Sequence, residues 1–371
     1  MPYDRPPLSK AAITEEVEPL PTSLLDLDMM TSLNVNHMRH TSAIDLNRGT
    51  QTLTLSNGSK VLYHRLLLAT GAAPRKIPLE GGERALTLRD FADARKIRQA
   101  FATGRSVAII GGGFIGLELA ASATKYGCKV TVIESQPRIL MRGVPDEIAG
   151  HVAARHASAG VTILTEVSVI QINPQTVVLT DDREIDAEIL IAGIGAAPRT
   201  ALAQKAGLAI DNGIACDARM QTSDPFIWAA GDCCSFPHPV FGNMRMRLES
   251  WRNASDQAVT AVENMMGASR DFTAVPWFWS DQYDLSLQIA GVPSLGLSTV
   301  RRSLRDSAFI VCHIDADGRL VGASGIGRGN MIARDIRLLE LLIGKKAKPS
   351  AVQLSDANFQ LKSLIKTDIA A

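Results

Sequence analysis

The chain has 371 residues, 46% of them hydrophobic and 21% charged, with 39 Lys+Arg against 38 Asp+Glu. That length allows two to three domains, each with its own core, and so even a charge balance excludes a dedicated nucleic-acid binder, which carries a strong basic surplus. No apolar run approaches the roughly 18 residues of a membrane span and the N-terminus has no apolar signal core, so the expectation is a cytoplasmic protein with neither nucleic acid nor membrane as partner, a monomer or homodimer.

Residues 2–10 read PYDRPPLSK. Pro2, Pro6 and Pro7 fix the backbone and withhold amide donors, which suits a stiff loop holding Arg5 and Lys10. TLTLSNGSKVLYHR (52–65) reads as a polar turn between β-rich runs and LLLAT (66–70) as an apolar strand, leading into GAAPR at Gly71–Arg75.

The strongest local signal is SVAIIGGGFIGLELAASATKYGCKVTVIES, residues 106–135. Ser106–Ile110 is an apolar strand, and Gly111, Gly113 and Gly116 follow in G-x-G-x-x-G spacing. A helix is predicted over Leu117–Tyr126, stopped near Gly127, and a second strand over Val130–Ile133, ending in Glu134. Such glycines provide a tight turn, close approach of backbone to a pyrophosphate, and close helix–strand packing. The helix N-terminus supplies amide hydrogens and partial positive charge for the phosphates. A lone glycine motif is weak evidence; placed between strand and helix, with an acid closing the next strand, it predicts dinucleotide binding. Glu134 can bond both ribose hydroxyls and repels a 2′-phosphate, so NADH is favoured over NADPH. Arg138 and Arg142 read as solvated or pyrophosphate-side arginines.

GAAPR recurs at Gly195–Arg199, again after an apolar strand (ILIAGI) and a polar-turn segment (TVVLTDDREIDAE). The repeat suggests two related dinucleotide-binding units, offset by 124 residues. Carried back by that offset, the glycine loop of the first unit falls before Met1, and nothing in residues 1–65 resembles a strand–GxGxxG–helix unit. The first unit is therefore expected to lack its opening βαβ, with the chain start read too late, the chain cut short, or a natural short form with weak or lost FAD binding as the alternatives.

Residues 222–234 read TSDPFIWAAGDCC, where the apolar run Phe226–Ala230 delivers Gly231–Asp232 at a strand end. Farther on, strands are predicted at 285–290, 298–304, 309–314 and 319–324, with a hairpin turn at Asp317–Gly318 and a helix near 331–343. The region 273–371 carries 12 Lys+Arg and 9 Asp+Glu. Arg301, Arg302, Arg305, Arg328, Lys345, Lys346 and Lys348 are either ordinary surface charges or a patch that steers an acidic partner.

Cys128, Cys216, Cys233, Cys234 and Cys312 form no disulfide framework and no CxxC or CxxxxC pair. Cys233 and Cys234 read as buried small residues. None of the seven histidines has metal-ligand spacing; His151 and His156, about 140° apart on a helix, share no face and read as solvated. No metal is expected.

Together PYDRPPLSK, the ATG at 69–71, GGGFIGLE at 111–118, TSDPFIWAAGDCC, ESWRNASDQA at 249–258 and PWFWSDQ at 276–282 resemble the FAD- and NADH-dependent reductases with two dinucleotide domains. The resemblance is closest to their ferredoxin-reductase branch, which includes the reductase components of biphenyl-type dioxygenases, putidaredoxin reductase and rubredoxin reductases. It covers essentially residues 2–371.

It implies an α/β fold: two Rossmann-like domains for FAD and NADH, plus a C-terminal α+β domain. The expected boundaries are 1–80 with 201–272 for FAD (discontinuous and N-terminally truncated), 81–200 for NADH, and 273–371 for the C-terminal domain. It implies hydride transfer from NADH to flavin N5, then single electrons to an acidic [2Fe–2S] ferredoxin, or a rubredoxin. That carrier would feed a Rieske dioxygenase or a cytochrome P-450, in aromatic hydrocarbon catabolism. The alternative is a flavin-poor NADH-binding or interaction protein of the apoptosis-inducing-factor kind, without turnover. With no cysteine pair beside the flavin, thiol–disulfide exchange is not expected.

By the same resemblance Asp232 bonds the ribityl chain, Thr70 and Gly71 lie along the FAD, and Arg5, Lys10 and Arg89 contact it. Trp279 packs by the isoalloxazine, and Glu249, Ser250 and Trp251 lie where flavin and nicotinamide meet. The NADH side takes Gly111, Gly113, Phe114, Ile115, Gly116, Glu134, Ser135, Arg142, Ile194 and Gly195. Lys10 and Glu118 match a buried ion pair beside flavin N5. Read alone, Glu118 is as well explained as an acid placed in a first helical turn by the dipole, Lys10 as a surface lysine, and Trp277 and Trp279 as core residues at strand spacing.

Overall fold

The computed structural model describes residues 2–17, 20–141 and 143–366. The chain forms two compact units, crossing between them several times. One holds the residues up to Asp4, Thr22–Ala73 and Ala197–Trp277; the other holds Arg5–Pro21, Pro74–Ala196 and the part from Phe278 onward.

In the first unit the apolar strand Leu66–Leu68 pairs in parallel with Ile227–Ala229. Both strands are short and apolar, as fits parallel strands covered on both faces. Around them Trp228, Phe236 and Phe272 pack with Met220 and Ile214. The β-rich runs around the polar turn pair as a hairpin, Thr52–Leu55 against Lys60–Leu62. The helix Trp251–Met265 is capped by Ser250, whose hydroxyl accepts from Asn253 N.

In the second unit the strand Ser106–Ile110 lies at the centre of a parallel sheet in the order Ile189–Ala192, Ser106–Ile110, Lys129–Ile133, Thr162–Leu164. The helix after the glycine loop runs Phe114–Lys125 and starts three residues earlier than expected, with Gly113 as its N-cap. Glu118 is therefore the fifth helical residue, beyond the first turn where the dipole favours an acid. From Gly116 to Ala123 every residue of this helix is buried, which small residues permit because packed elements can approach from several sides.

The stiff N-terminal segment belongs to this second unit. It folds as a 3-10 turn, Pro6–Ser9, then a short helix, Ala11–Thr14. Several side chains hold it by its backbone. Arg98 donates to Ile13 O, Glu15 O and Glu16 O, Tyr126 Oη donates to Ile13 O, and Ser122 Oγ donates to Ser9 O at 2.9 Å.

The C-terminal region is a five-stranded sheet in the order Trp277–Gln282, Leu285–Gly291, Leu320–Arg328, Phe309–Ile314, Ser298–Ser303. The helix Ala333–Gly344 buries Ile336, Leu339, Leu342 and Ile343. The turn at Asp317–Gly318 forms as expected, Gly318 being left-handed at φ 78°. Of the basic residues of this region, Arg302 does not face solvent, while Arg301, Arg305, Arg328, Lys345, Lys346 and Lys348 do. Arg302 is only 2% exposed; it pairs with Asp335 at 2.7 Å and donates to the carbonyls of Leu354, Ala357 and Phe359. Arg301 pairs with Glu147 and Arg328 with Asp284. Arg302 therefore fastens the C-terminal segment rather than steering anything.

Candidate functional site

The nucleotide loop of the second unit is built by close approach. A Cβ on Gly116 would lie 2.2 Å from Gly111 O, and one on Gly111 would lie 2.5 Å from Gly193 O. Only glycine lets helix and strand meet there. Gly113 differs: a Cβ there would meet nothing within 4 Å, so the space before the helix is open. The helix has no side-chain cap, which leaves its first amides for an anion.

Glu134 is fixed at the rim. Its carboxylate accepts from Gly112 N at 2.8 Å and Gln136 N at 2.9 Å, and Ser135 Oγ donates to it at 3.3 Å. Arg138 pairs with Asp146 and donates to Ile139 O and Val144 O. It is committed to the local fold, not held out for a phosphate. Arg142 lies outside the described residues. Phe114 packs on Phe278 at 4.5 Å between ring centroids. Ile115 and Gly195 are exposed, and Ile194 is half-buried.

One turn on from Phe114, the same helix carries Glu118, 3% exposed. Lys10 Nζ lies 3.0 Å from its Oε1. Ser280 Oγ donates to Oε1 at 2.6 Å, and Ser9 Oγ donates to Oε2. A buried carboxylate without partners is heavily penalised; three donors, one of them cationic, satisfy this one. The register explains the fit. Phe114 and Glu118 are four residues apart, about 6 Å along a helix. Phe278 and Ser280 are two apart, about 6.6 Å along a strand. The two steps match, so Phe278 meets Phe114 while Ser280 meets Glu118. Trp277 and Trp279 then point to the opposite face, both half-buried, with the Arg252 guanidinium over the Trp277 ring.

Beyond Ser280 lie residues that sequence reasoning missed. Gln282 Nε2 donates to Ser280 Oγ at 3.1 Å, and Gln282 Oε1 is 2.8 Å from His156 Nε2. His156 is fully buried, so the expectation that it is solvated is corrected; His238 and His313 are buried as well. Burial lowers the pKa of each, to about 4 for His313. The alternation of Phe278, Ser280 and Gln282 on one strand face was the available signal.

In the first unit the parallel strands Leu66–Leu68 and Ile227–Ala229 bring Thr70–Gly71 and Gly231–Asp232 to the same C-terminal edge, where ligands of such sheets bind. Thr70 Oγ1 donates to Arg199 O at 2.6 Å, and Arg199 N donates to Gly71 O at 2.9 Å. Gly231 N donates to Gln257 Oε1 at 2.7 Å. Nearby on the same helix, Gln257 Nε2 and Asn253 Oδ1 are buried with no partner in the protein. Glu249 pairs with Arg247, which also donates to Asp232 O. Trp251 is 46% exposed. Arg5, in the second unit, is exposed, and Arg89 N donates to Asp93 Oδ2 in the turn before the helix Phe91–Ala100. All five cysteines are free and buried. Among the described residues no group of three metal-binding side chains occurs, and no helix is long and apolar enough to cross a membrane.

Residues 1–258 match the pyridine nucleotide-disulphide oxidoreductase family and residues 277–365 the reductase C-terminal family. The chain belongs to the pyridine nucleotide-disulphide oxidoreductases. It is 36% identical to the ferredoxin–NAD(+) reductase component of an anthranilate 1,2-dioxygenase system from Burkholderia cepacia, over 98% of this chain and 90% of that protein. Among solved structures it is similar to a ferredoxin reductase from Rhodopseudomonas palustris, with TM-score 0.92, 31% identity and coverage of 98% of this chain and 90% of that one. It is also similar to putidaredoxin reductase in its covalent complex with putidaredoxin, with TM-score 0.93, 32% identity and coverage of 100% and 91%. The chain is thus an FAD- and NAD(H)-dependent oxidoreductase of the ferredoxin-reductase kind, and a non-catalytic role is not favoured.

The residues fit both groups. The open space at Gly113 and the uncapped helix suit a pyrophosphate. The partnerless donor and acceptor of Gln257 and Asn253, beside the Gly231–Asp232 turn, suit a ligand that carries both kinds of polar atom, as FAD does.

Proposed function

We propose that this chain is the reductase of a cytoplasmic electron-transfer chain that serves an aromatic-ring oxygenase. It takes hydride from NADH and reduces a [2Fe–2S] ferredoxin. When bound, FAD supplies the exchange between a two-electron donor and a one-electron acceptor; the protein's part is to bind, orient and tune. Within this reading residues 1–80 and 201–272 hold FAD, 81–200 hold NADH, and 273–371 form the C-terminal domain.

The observation that carries the reading is the Lys10–Glu118 pair, 3.0 Å apart, on the helix whose N-terminus forms the nucleotide loop. Glu118 fixes Lys10, whose ammonium would set the charge near the hydride-accepting atom of a bound flavin. Glu134 selects NADH by accepting from the ribose hydroxyls. Asp232, Thr70 and Gly71 hold the flavin side, with Arg5, Arg89 and Trp279. Glu249, Ser250 and Trp251 flank the nicotinamide approach. Phe114, Ile115, Ser135, Ile194 and Gly195 line the NADH side. With every cysteine buried and free, electrons leave to an external carrier and not to a disulfide of this chain.

The test is an anaerobic titration of the FAD-saturated protein with NADH, followed by addition of a [2Fe–2S] ferredoxin. The flavin bands should bleach and the ferredoxin should then be reduced. Glu118→Gln should slow the bleaching by about 100-fold, the scale of a lost positioning interaction. Unchanged bleaching in that variant removes the role assigned to the pair.

A further inference from the structure

Glu118 is the end of a longer buried chain. Ser280, Gln282 and His156 are each 3% exposed or less, and they link in sequence to Tyr283, whose Oη is 3.1 Å from His156 Nδ1. The carboxylate dictates every orientation along it. Glu118 can only accept, so Ser280 Oγ donates to it. The Ser280 oxygen must then accept, so the Gln282 amide turns its Nε2 toward Ser280. That leaves Gln282 Oε1 facing His156, which must carry its proton on Nε2. His156 Nδ1 is then bare and accepts from the Tyr283 hydroxyl. All four donors point toward Glu118.

Two observations show that the far end is built as well. Tyr283 sits at the tip of the hairpin between Trp277–Gln282 and Leu285–Gly291 with φ 57°, a conformation in which a bulky residue is an outlier. It is held there by His156 and by Arg155, whose guanidinium lies 4.2 Å over the Tyr283 ring and pairs with Asp284.

We propose that Ser280, Gln282, His156 and Tyr283 are positioning residues. They lock the Glu118 carboxylate, as the anion, in the orientation that aims Lys10 at the reacting centre. A primary amide in the middle of the chain does not hand protons on, so the chain orients Glu118 and is not a proton path. This inference rests on the Lys10–Glu118 reading above.

The test has two readouts. The first needs no flavin: the imidazole tautomer by nitrogen NMR of histidine-labelled protein, with the His156 signals identified by their loss in His156→Gln. The expected form carries its proton on Nε2. The second is the hydride-transfer rate of FAD-saturated Ser280→Ala and Gln282→Leu, measured by rapid mixing with NADH. Both variants should lose about tenfold in rate with NADH affinity unchanged, a split that a purely structural role would not give.

A proton on Nδ1 of His156 overturns the proposal. So does full hydride-transfer speed in both Ser280→Ala and Gln282→Leu while Glu118→Gln is slow; the pair then acts alone. If Glu118→Gln itself runs at full speed, the site reading fails and the positioning role falls with it. The two failures are told apart by which variant is slow.

Discussion

The two units differ in how their buried polar atoms are satisfied. In the second unit Glu118, Ser9, Ser280, Gln282 and His156 are all buried and all bonded to one another or to Lys10 and Tyr283. In the first unit Gln257 Nε2, Asn253 Oδ1 and Trp228 Nε1 are buried without a protein partner. Folded proteins leave few such atoms. The Lys10–Glu118 centre is therefore satisfied within the protein, whereas the edge proposed for the flavin leaves polar atoms unsatisfied by the protein.

Adding FAD should separate the units most clearly. At about 100-fold excess over its dissociation constant a ligand protects by about 2.7 kcal/mol. Hydrogen exchange should slow around Gly231 and the helix Trp251–Met265, while the helix Phe114–Lys125 gains less. Equal protection of both units would break the comparison.

Acid should sharpen it from the other side. Burial lowers His313 to about 4, below the ordinary value of about 6.5. The unfolded chain takes up this proton first, so stability is complete above about pH 6.5 and falls as the pH drops toward 4, by up to about 3 kcal/mol. His156 is shifted in the same direction, also by burial. Denaturant melts across this range should show the loss, and His313→Asn should flatten the slope. A slope unchanged in that variant would put the acid sensitivity elsewhere.

The smallest expected effect is on the ion pair. Lys10→Met leaves Glu118 with two hydroxyl donors, and Lys10 keeps 25% side-chain exposure. The loss is therefore screened to about 1–2 kcal/mol, read as a lower urea midpoint with an unchanged slope. A loss as large as that of a fully buried pair would mean that the hydroxyls contribute little.

The nucleotide loop was legible in the sequence because its causes are local. Gly111, Gly113 and Gly116 occupy fixed steps between a strand and a helix, and Glu134 closes the next strand. The hairpin at Asp317–Gly318 and the short apolar strands at Leu66 and Ile227 were legible for the same reason, though not the parallel pairing of those two strands. The helix start at Phe114 was missed because Gly113 caps without a side chain, so no residue marks the boundary.

What the sequence by itself determined was the set of parts: two dinucleotide-type repeats marked by GAAPR, a glycine loop with its acid, and a C-terminal sheet. Tertiary structure decided which polar residues are inside. His156 is buried because Gln282, 126 residues away, lies against it, and Arg302 is buried because the chain near Asp356 folds back over it. Lys10 and Glu118 meet because Arg98, Ser122 and Tyr126 fasten the N-terminal segment. Burial of a polar side chain depends on partners distant in sequence, and no local pattern of residues records them.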